Sequence, residues 1–414
     1  MQRTISSERR ADFLRWQRRF TALNPRVLAY VFERFPKFSQ TFCYREVVEL
    51  SRQGEKPAIF SLRSPDLGPE QSWDSEILKI VHVLPEGDEF AKAVDAESHK
   101  VPKLARKILR EWRGKRDSLR LHQAVYIGVR LRELGVTHVH THFAGMAART
   151  AFWIRGFFGI TYSVTVHAND IFTPNDFEIS LDKILSSARA IVAVSNFGAD
   201  YIREKFPGAA KRVYRVYNGI DVEQFQPAKF DQLPLVLSIG RLISKKGFDI
   251  LIDACAILRE RGLDFQCEII GEGPLRHELQ ARIDHHRLGD RVTLVGPKPQ
   301  RAVASRLAEA TVLTLPCRVD PDGAMDNLPT VIMEAMAAAL PVVTTDLGGI
   351  RDMVVDGETG FLIAPENTSA IADATGQFLG DRVLARSFGE RGRQRAVDLF
   401  SIGQSVRALR EIIS

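Results

Sequence analysis

A chain of 414 residues that is 45% hydrophobic and 26% charged has an ordinary globular composition and is long enough for two or three domains. No apolar run approaches the roughly 20 residues of a membrane-spanning helix, and the basic N-terminus lacks the continuous apolar core of a secretory signal. Cys43, Cys255, Cys267 and Cys317 have no CxxC spacing, which argues against a disulfide framework or a zinc cluster and suits a reducing cytoplasm; the net charge of +6 comes with no nucleic-acid-binding pattern.

Residues 1–23 form a basic arm in which Arg3, Arg9, Arg10, Arg15, Arg18 and Arg19 accompany Phe13, Trp16, Phe20 and Leu23 at helical spacing. The next segment, 24–222, alternates β-branched runs with helical stretches such as 42–53 and 182–187. Its expected strands are 27–32, 56–61, 80–84, 137–141, 161–165, 190–194 and 212–216. Within it, Val101, Leu104, Ala105, Ile108, Leu109 and Trp112 recur at i, i+3, i+4, i+7, with Lys103, Arg106, Lys107, Arg110 and Arg113 between them. A basic amphipathic helix over 100–116 either lies on an anionic membrane surface, at about 1 kcal/mol per cation, or buries its stripe in the core.

A Gln-, Pro- and Lys-rich stretch at 223–234 is the expected linker. A second alternating series fills 235–385, with strands expected at 235–239, 264–270, 292–294, 312–315, 341–345 and 360–363; a helical segment, 386–414, could cross back to the first domain. Strand–helix alternation predicts parallel sheets. The expected architecture is α/β, two doubly wound Rossmann-like domains facing across a cleft, with ligands outside the carboxyl ends of the strands.

The most informative motif is Asp326-Asn327-Leu328-Pro329-Thr330-Val331-Ile332-Met333-Glu334, two carboxylates eight residues apart across a loop-to-helix junction. Pro329 suits a first helical turn. A helix opening at Leu328, Pro329 and Thr330 aims free N–H groups and a positive dipole end at a diphosphate. Glu334, in the second turn, can accept from two adjacent hydroxyls, and Asp326 faces the same space. Upstream, the expected strand 235–239 runs into Gly240, Arg241 and Lys246. Glycine lets the backbone approach a ligand, and a guanidinium fork beside an ammonium suits a diphosphate, doing the work of a magnesium ion.

In the first half, His167 and Asp170 follow an apolar strand and point toward the cleft. His138, His140 and His142 alternate along another strand; a zinc site there is the weaker expectation, and no metal is assigned. Gly271-Glu272-Gly273 imitates a dinucleotide fingerprint with Arg276 in place of its third glycine, and Asp320-Pro321-Asp322 imitates a metal-binding Asp-x-Asp within a turn.

With Gly240-Arg241-Leu242, Lys246-Gly247, Gly271-Glu272-Gly273-Pro274, the Asp326/Glu334 pair and the segments 216–221, 346–350 and 357–361, the chain resembles the family-4 retaining glycosyltransferases of the GT-B fold over roughly 26–400. Phe38-Ser39-Gln40-Thr41-Phe42, His142-Phe143-Ala144 and 165–171 resemble the exopolysaccharide, colanic-acid-type branch. Two departures stand out. Asp326 occupies a position where the family usually has Glu, and Lys37-Phe38-Ser39-Gln40 replaces a common glycine pair.

The resemblance implies metal-independent hexosyl transfer from a nucleoside diphosphate sugar to a saccharide or lipid-linked saccharide, with retained configuration and no cofactor. Arg241, Lys246, Asp326 and His167 are the expected catalytic set. Gly240, Gly271, Gly273, Leu328, Pro329, Thr330 and Glu334 are expected to hold the donor, and Ser39, Gln40, Thr41, His142 and Asp170 to face the acceptor. The expected location is cytoplasmic, with contact to an anionic membrane through 100–116. A nucleotide-sugar epimerase or a non-catalytic nucleotide-sugar binder is the alternative.

Overall fold

Tyr30 and Phe32 leave one face of their strand while Ala29 and Val31 leave the other, and all four are buried. A strand at the centre of a parallel sheet must be apolar on both sides in this way. This is β1 (Ala29–Arg34) in the computed structural model, which describes residues 28–68, 73–173 and 176–413. The basic arm, 1–23, lies outside the described residues.

The first sheet continues with β2 (Ala58–Arg63), β3 (Val81–Val83), β4 (His138–His142), β5 (Thr161–Val166), β6 (Ala190–Ala193) and β7 (Val213–Arg215). Its order is β3-β2-β1-β4-β5-β6-β7, with every pair parallel. The second sheet comprises β8 (Leu235–Ile239), β9 (Gln266–Ile270), β10 (Val292–Gly296), β11 (Val312–Leu315), β12 (Val342–Thr345) and β13 (Gly360–Ile363). Its order, β10-β9-β8-β11-β12-β13, is also parallel throughout. Each sheet winds outward from its first strand and then reverses, which opens a crevice between β1 and β4 and another between β8 and β11. The chain is therefore α/β with two Rossmann-like domains, the GT-B architecture.

Every expected strand is present, with shifts at the ends. β1 and β2 start two residues later than the apolar pattern places them. Pro57 cannot donate to the ladder ahead of β2, and pairing of Arg34 with Arg63 carries the strands past their apolar residues.

Helices α1 (Thr41–Arg52), α2 (Lys103–Glu111), α3 (Asn196–Lys205), α4 (Gln300–Leu307) and α5 (Thr330–Ala337) border the cleft or the surface considered below. In α2 the apolar stripe turns inward. Val101 and Ala105 are buried, and Ile108, Leu109 and Trp112 pack on the first-domain core. Lys103, Arg106, Lys107, Arg110 and Arg113 are exposed, and Leu104 is the one stripe residue facing out, at 56% exposure. Among the described residues no helix is long and apolar enough to cross a membrane.

The chain passes between the domains twice, and the two passes hold each other. The Ile220 N–H donates to the Phe400 carbonyl at 2.8 Å, and the Ile402 N–H donates to the Ile220 carbonyl at 2.9 Å. The stretch 223–234 is not a free linker, because Phe225, Ala228 and Phe230 insert into the second-domain core and Ala228 N–H donates to Ala338 O at 2.7 Å. Its polar composition concealed three apolar anchors.

A boundary at 385 would cut helix α6 (Arg382–Phe400), which stays on the second domain through Ala385, Phe388, Ala396 and Phe400. Only α7 (Ile402–Ile413) crosses back. Its Ile402, Val406, Leu409 and Ile413 fall on one stripe and are buried against the first domain. Each such aliphatic side chain contributes about 1.5–3 kcal/mol by leaving water. Leu409→Ala is expected to lower stability by about 2–5 kcal/mol in urea unfolding, while the second-domain contacts of α6 stay intact.

Candidate active site

At the reversal point of the second sheet, β8 runs into Gly240 and Arg241, and β11 into Pro316 and Cys317. Gly247 has φ 66°, and a Cβ there would overlap the Pro316 carbonyl, so only glycine lets these loops press together. That approach brings Lys246 Nζ to 2.5 Å from Asp326 Oδ2 and Lys245 Nζ to 3.3 Å from Oδ1. Burial alone would raise the Asp326 pKa and lower that of Lys246. Their attraction reverses both shifts, with Lys245 adding to it at Asp326, so both groups stay charged. Burial pushes the Cys317 thiol up, and this neutral thiol donates to Asp326 Oδ2 at 3.6 Å. Arg241, by contrast, is exposed, and its side chain has no hydrogen bond or ion pair among the described residues.

Gly271 and Gly273 stand behind this wall rather than in it. Gly271 has φ 150°, and Cβ atoms at the two positions would run into the carbonyls of Gly240 and Leu242. They pack the β9 loop under the β8 loop. Leu328 and Pro329 lie ahead of the helix rather than in its first turn. Both are buried, and Pro329 is the N-cap of α5, with ψ 113°, so the helix proper begins at the partly exposed Thr330.

Glu334, in the second turn of α5, is only 7% exposed, yet its partner comes from the other domain. Arg45, on α1, donates from Nη2 to Glu334 Oε1 at 2.5 Å. With its amide oxygen turned toward the guanidinium, Gln300 at the start of α4 accepts from Arg45 Nε at 2.9 Å. The third nitrogen, Nη1, is buried without a partner.

The opposing wall is a hydrogen-bonded chain leading from the first-domain core to the cleft. Tyr30 donates to Glu46 at 2.8 Å, Glu46 meets His142 Nε2 at 3.0 Å, and His142 Nδ1 meets His167 Nε2 at 3.2 Å. Burial by itself would lower the His142 pKa, but Cys43 and Glu46 raise it well above the ordinary value. Burial, with the His142 charge beside it, drives His167 well below. The two shifts run in opposite directions across one hydrogen bond, with His142, beside Glu46, the ring that holds a proton more tightly.

At 2% exposure, His142 lies behind His167 and cannot itself face an acceptor, which corrects its expected placement. His138 bonds the Thr161 and Ser163 hydroxyls, and His140 those of Ser163 and Thr165, so both rings lace β4 to β5. The ligand atoms of Glu46, His140 and His142 lie within 4.8 Å of one another, but each ring nitrogen already has a hydrogen-bond partner.

Asp170 accepts from the His167 backbone N–H at 2.8 Å and caps a short helix, Ala168–Ile171. Its carboxyl is enclosed by the β4 loop although part of the residue reaches solvent. Burial pushes it up to about 7 against the backbone hydrogen bonds that hold it down. Ser39 is exposed, and Gln40 and Thr41 are partly exposed, where the turn Phe38–Gln40 runs into α1.

Three further links cross between the domains. Lys245 Nζ donates to Asn169 Oδ1 at 3.2 Å, Ser195 Oγ to Asn327 Oδ1 at 2.7 Å, and the Asn196 N–H to Asp352 Oδ2 at 2.6 Å. Arg45, Ser195 and Asn327 went unnoticed in the sequence. Only Ser195 carries a local signal, as the N-cap of α3 that accepts from Gly198 N–H at 2.9 Å. The roles of the other two depend on the facing domain or on a distant loop.

Two family models cover the chain almost end to end: Glycosyltransferase Family 4 over residues 39–224 and Glycosyl transferases group 1 over residues 220–395. The chain is 36% identical over 163 residues to the putative colanic acid biosynthesis glycosyltransferase WcaL of Escherichia coli (strain K12), 39% of this chain and 40% of that protein. It is 38% identical over 166 residues to the amylovoran biosynthesis glycosyltransferase AmsK of Erwinia amylovora, 39% and 41% of the respective chains. These alignments thus span about two fifths of either relative. A longer alignment, 29% identical over 63% of this chain and 72% of the relative, reaches the alpha-D-kanosaminyltransferase of Streptomyces kanamyceticus. Among solved structures, sucrose-phosphate synthase from Thermosynechococcus elongatus superposes with a TM-score of 0.73 at 19% identity, covering 94% of this chain and 98% of that one. HepE of Anabaena in complex with UDP gives 0.68 at 16%, covering 93% and 98%.

The raised Asp170 carboxyl has a pH signature. A carboxyl whose folded pKa is about 7, against an ordinary 3.8, binds a proton more tightly in the folded state. Its contribution to stability is complete below pH 3.8 and is lost as the pH rises toward 7. Asp170→Asn is expected to remove this component, so the wild-type minus variant difference in urea midpoint should shrink steadily between those limits and level off above pH 7.

Proposed function

The chain belongs to the two-domain glycosyltransferases described by the family 4 and group 1 models, and on that premise we propose that it moves a hexosyl group from a nucleoside diphosphate sugar to a saccharide hydroxyl. The observation that carries this reading is the free guanidinium of Arg241 beside the enclosed Lys246–Asp326 pair, at the reversal point where a parallel sheet presents its ligands. Colanic acid and amylovoran relatives direct the reading toward surface-polysaccharide assembly.

In the proposed reaction the bond between the anomeric carbon and the leaving phosphate breaks, and the acceptor oxygen bonds to the same carbon from the same face. The departing phosphate oxygen takes the acceptor proton, so configuration is retained without a protein nucleophile. Negative charge builds on the diphosphate, and the catalytic task is to meet it with fixed positive charge. Arg241, Lys246 and the opening turn of α5 supply that charge without a metal ion. Glu334 holds the ribose hydroxyls, Asp326 the hexose hydroxyls, and His167 lies on the sugar's other side.

Arg241→Ala is expected to lower turnover by about 10²–10³ while leaving the fold intact, because the exposed side chain makes no hydrogen bond or ion pair among the described residues. The measurement is acceptor-dependent release of nucleoside diphosphate; turnover at the wild-type rate, or release that ignores the acceptor, would refute the assignment.

A lipid-linked acceptor is part of the proposal, and the exposed cations of α2 support it. Lys103, Arg106, Lys107, Arg110 and Arg113 project from a helix whose apolar stripe is already anchored in the core, so this surface would hold headgroups electrostatically rather than by insertion. Converting Arg106, Lys107 and Arg110 to Glu is expected to abolish sedimentation with vesicles rich in anionic lipid, without changing the melting temperature; unchanged sedimentation would remove the lipid-surface part of the proposal.

A further inference from the structure

The carboxylate assigned to the ribose is already occupied, and its occupant comes from the domain across the cleft. Arg45 and Glu334 are each about 9% exposed at the side chain, and their contact of 2.5 Å uses Oε1, an acceptor the ribose hydroxyls would need. Among the described residues Arg45 is the one side chain that bonds this carboxylate.

We propose that Arg45 sets the affinity of the cleft for the donor's ribose, holding Glu334 while the cleft is empty and yielding it when the nucleotide arrives. This rests on the reading of the cleft as a nucleoside diphosphate sugar site.

Two features mark the ion pair as a resting contact. First, the guanidinium is incompletely satisfied, for Nη1 is enclosed without a partner while Nη2 serves both Glu334 and Gln300 and Nε serves Gln300. Nη1 can thus take an acceptor from an incoming ligand, although Arg291 and Arg318 also carry a buried nitrogen without a partner. Second, Gln300 belongs to α4, in the same domain as Glu334 but on another element, so Arg45 keeps an acceptor when it loses Glu334. The exchange is local. Two ribose hydroxyls replace one guanidinium at the same carboxylate, and the cation keeps its bonds to Gln300. Because Arg45 rides on α1, each donor that binds also removes one link between the domains.

The test is calorimetric titration of UDP and of GDP into the full chain, wild type against Arg45→Met, with the 2′,3′-dideoxy analogue of each as control. A ligand that must displace Arg45 binds more tightly once the competitor is gone, and coupling of this kind typically spans about 5- to 150-fold. Arg45→Met is therefore expected to tighten whichever nucleoside diphosphate binds by at least about fivefold. The gain should vanish with the dideoxy analogue, which does not contest Glu334.

Unchanged or weaker binding by folded Arg45→Met overturns the proposal, as does a gain that survives removal of the ribose hydroxyls. Should Arg45→Met fail to fold, Arg45→Lys keeps the charge, loses the fork, and is expected to show the same ribose-dependent gain at smaller size. Absence of binding by wild type and variant alike fails the nucleotide reading of the cleft itself, and this inference falls with it.

Discussion

Two carboxylates enclosed in one cleft must each have a cation, because an uncompensated buried charge costs several kcal/mol. Asp326 and Glu334 meet that requirement in different ways. Asp326 is neutralised from within its own domain, by Lys246 and Lys245 on the loop after β8, and the attraction is strong enough to keep both Asp326 and Lys246 ionised against burial. Glu334 is neutralised by Arg45 of the other domain. The first arrangement depends on Gly247 letting two loops touch, and the second on how the domains face each other. The cleft therefore carries a preassembled half and a half that exists only while the domains meet.

The domain pairing rests on a small set of contacts placed at the two ends of the cleft. Ile220 and Ser401 mark where the chain crosses, and Ile220 exchanges backbone hydrogen bonds with both neighbours of Ser401, so the outward and return passes form one short parallel bridge. From there α7 reaches over the first domain with Ile402, Val406, Leu409 and Ile413. Nearer the ligand side the links are polar: Arg45 with Glu334, Ser195 with Asn327, Lys245 with Asn169, and Asn196 with Asp352. Apolar contacts at the crossing are insensitive to small ligands. Polar ones at the mouth are the kind that a nucleotide, itself rich in hydroxyl and phosphate oxygens, can replace.

The chain Tyr30–Glu46–His142–His167 gives the opposing wall a fixed hydrogen-bond pattern. His142, clamped between the Glu46 carboxylate and the His167 ring, orients His167 before any sugar enters. Asp170 adds a second constraint by holding the backbone at His167. Both devices sit at carboxyl ends of β4 and β5, so the same strand polarity that aims Arg241 from one domain aims His167 from the other.

Local patterns in the sequence determined a good deal. Apolar runs on both strand faces, such as Ala29 to Phe32, required parallel buried strands, and their alternation with helices required two doubly wound sheets. The pairing of Lys246 with Asp326 was legible because each group's chemistry is local: a cation after a strand, a carboxylate ahead of a helix start. The reading failed where residue type permitted two roles. Gly271 and Gly273 look the same in a sequence whether they face a ligand or another loop, and only the structure shows them pressed on the carbonyls of Gly240 and Leu242. His142 belongs to a suggestive run, but its burial behind His167 comes from the packing of α1 on β4. The stretch 223–234 has a linker's composition, yet three apolar side chains found a core. What only the tertiary structure decided is which distant groups meet: Arg45 and Glu334 lie 289 positions apart, and no local propensity or spacing encodes a contact that depends on how two separately folded sheets face each other.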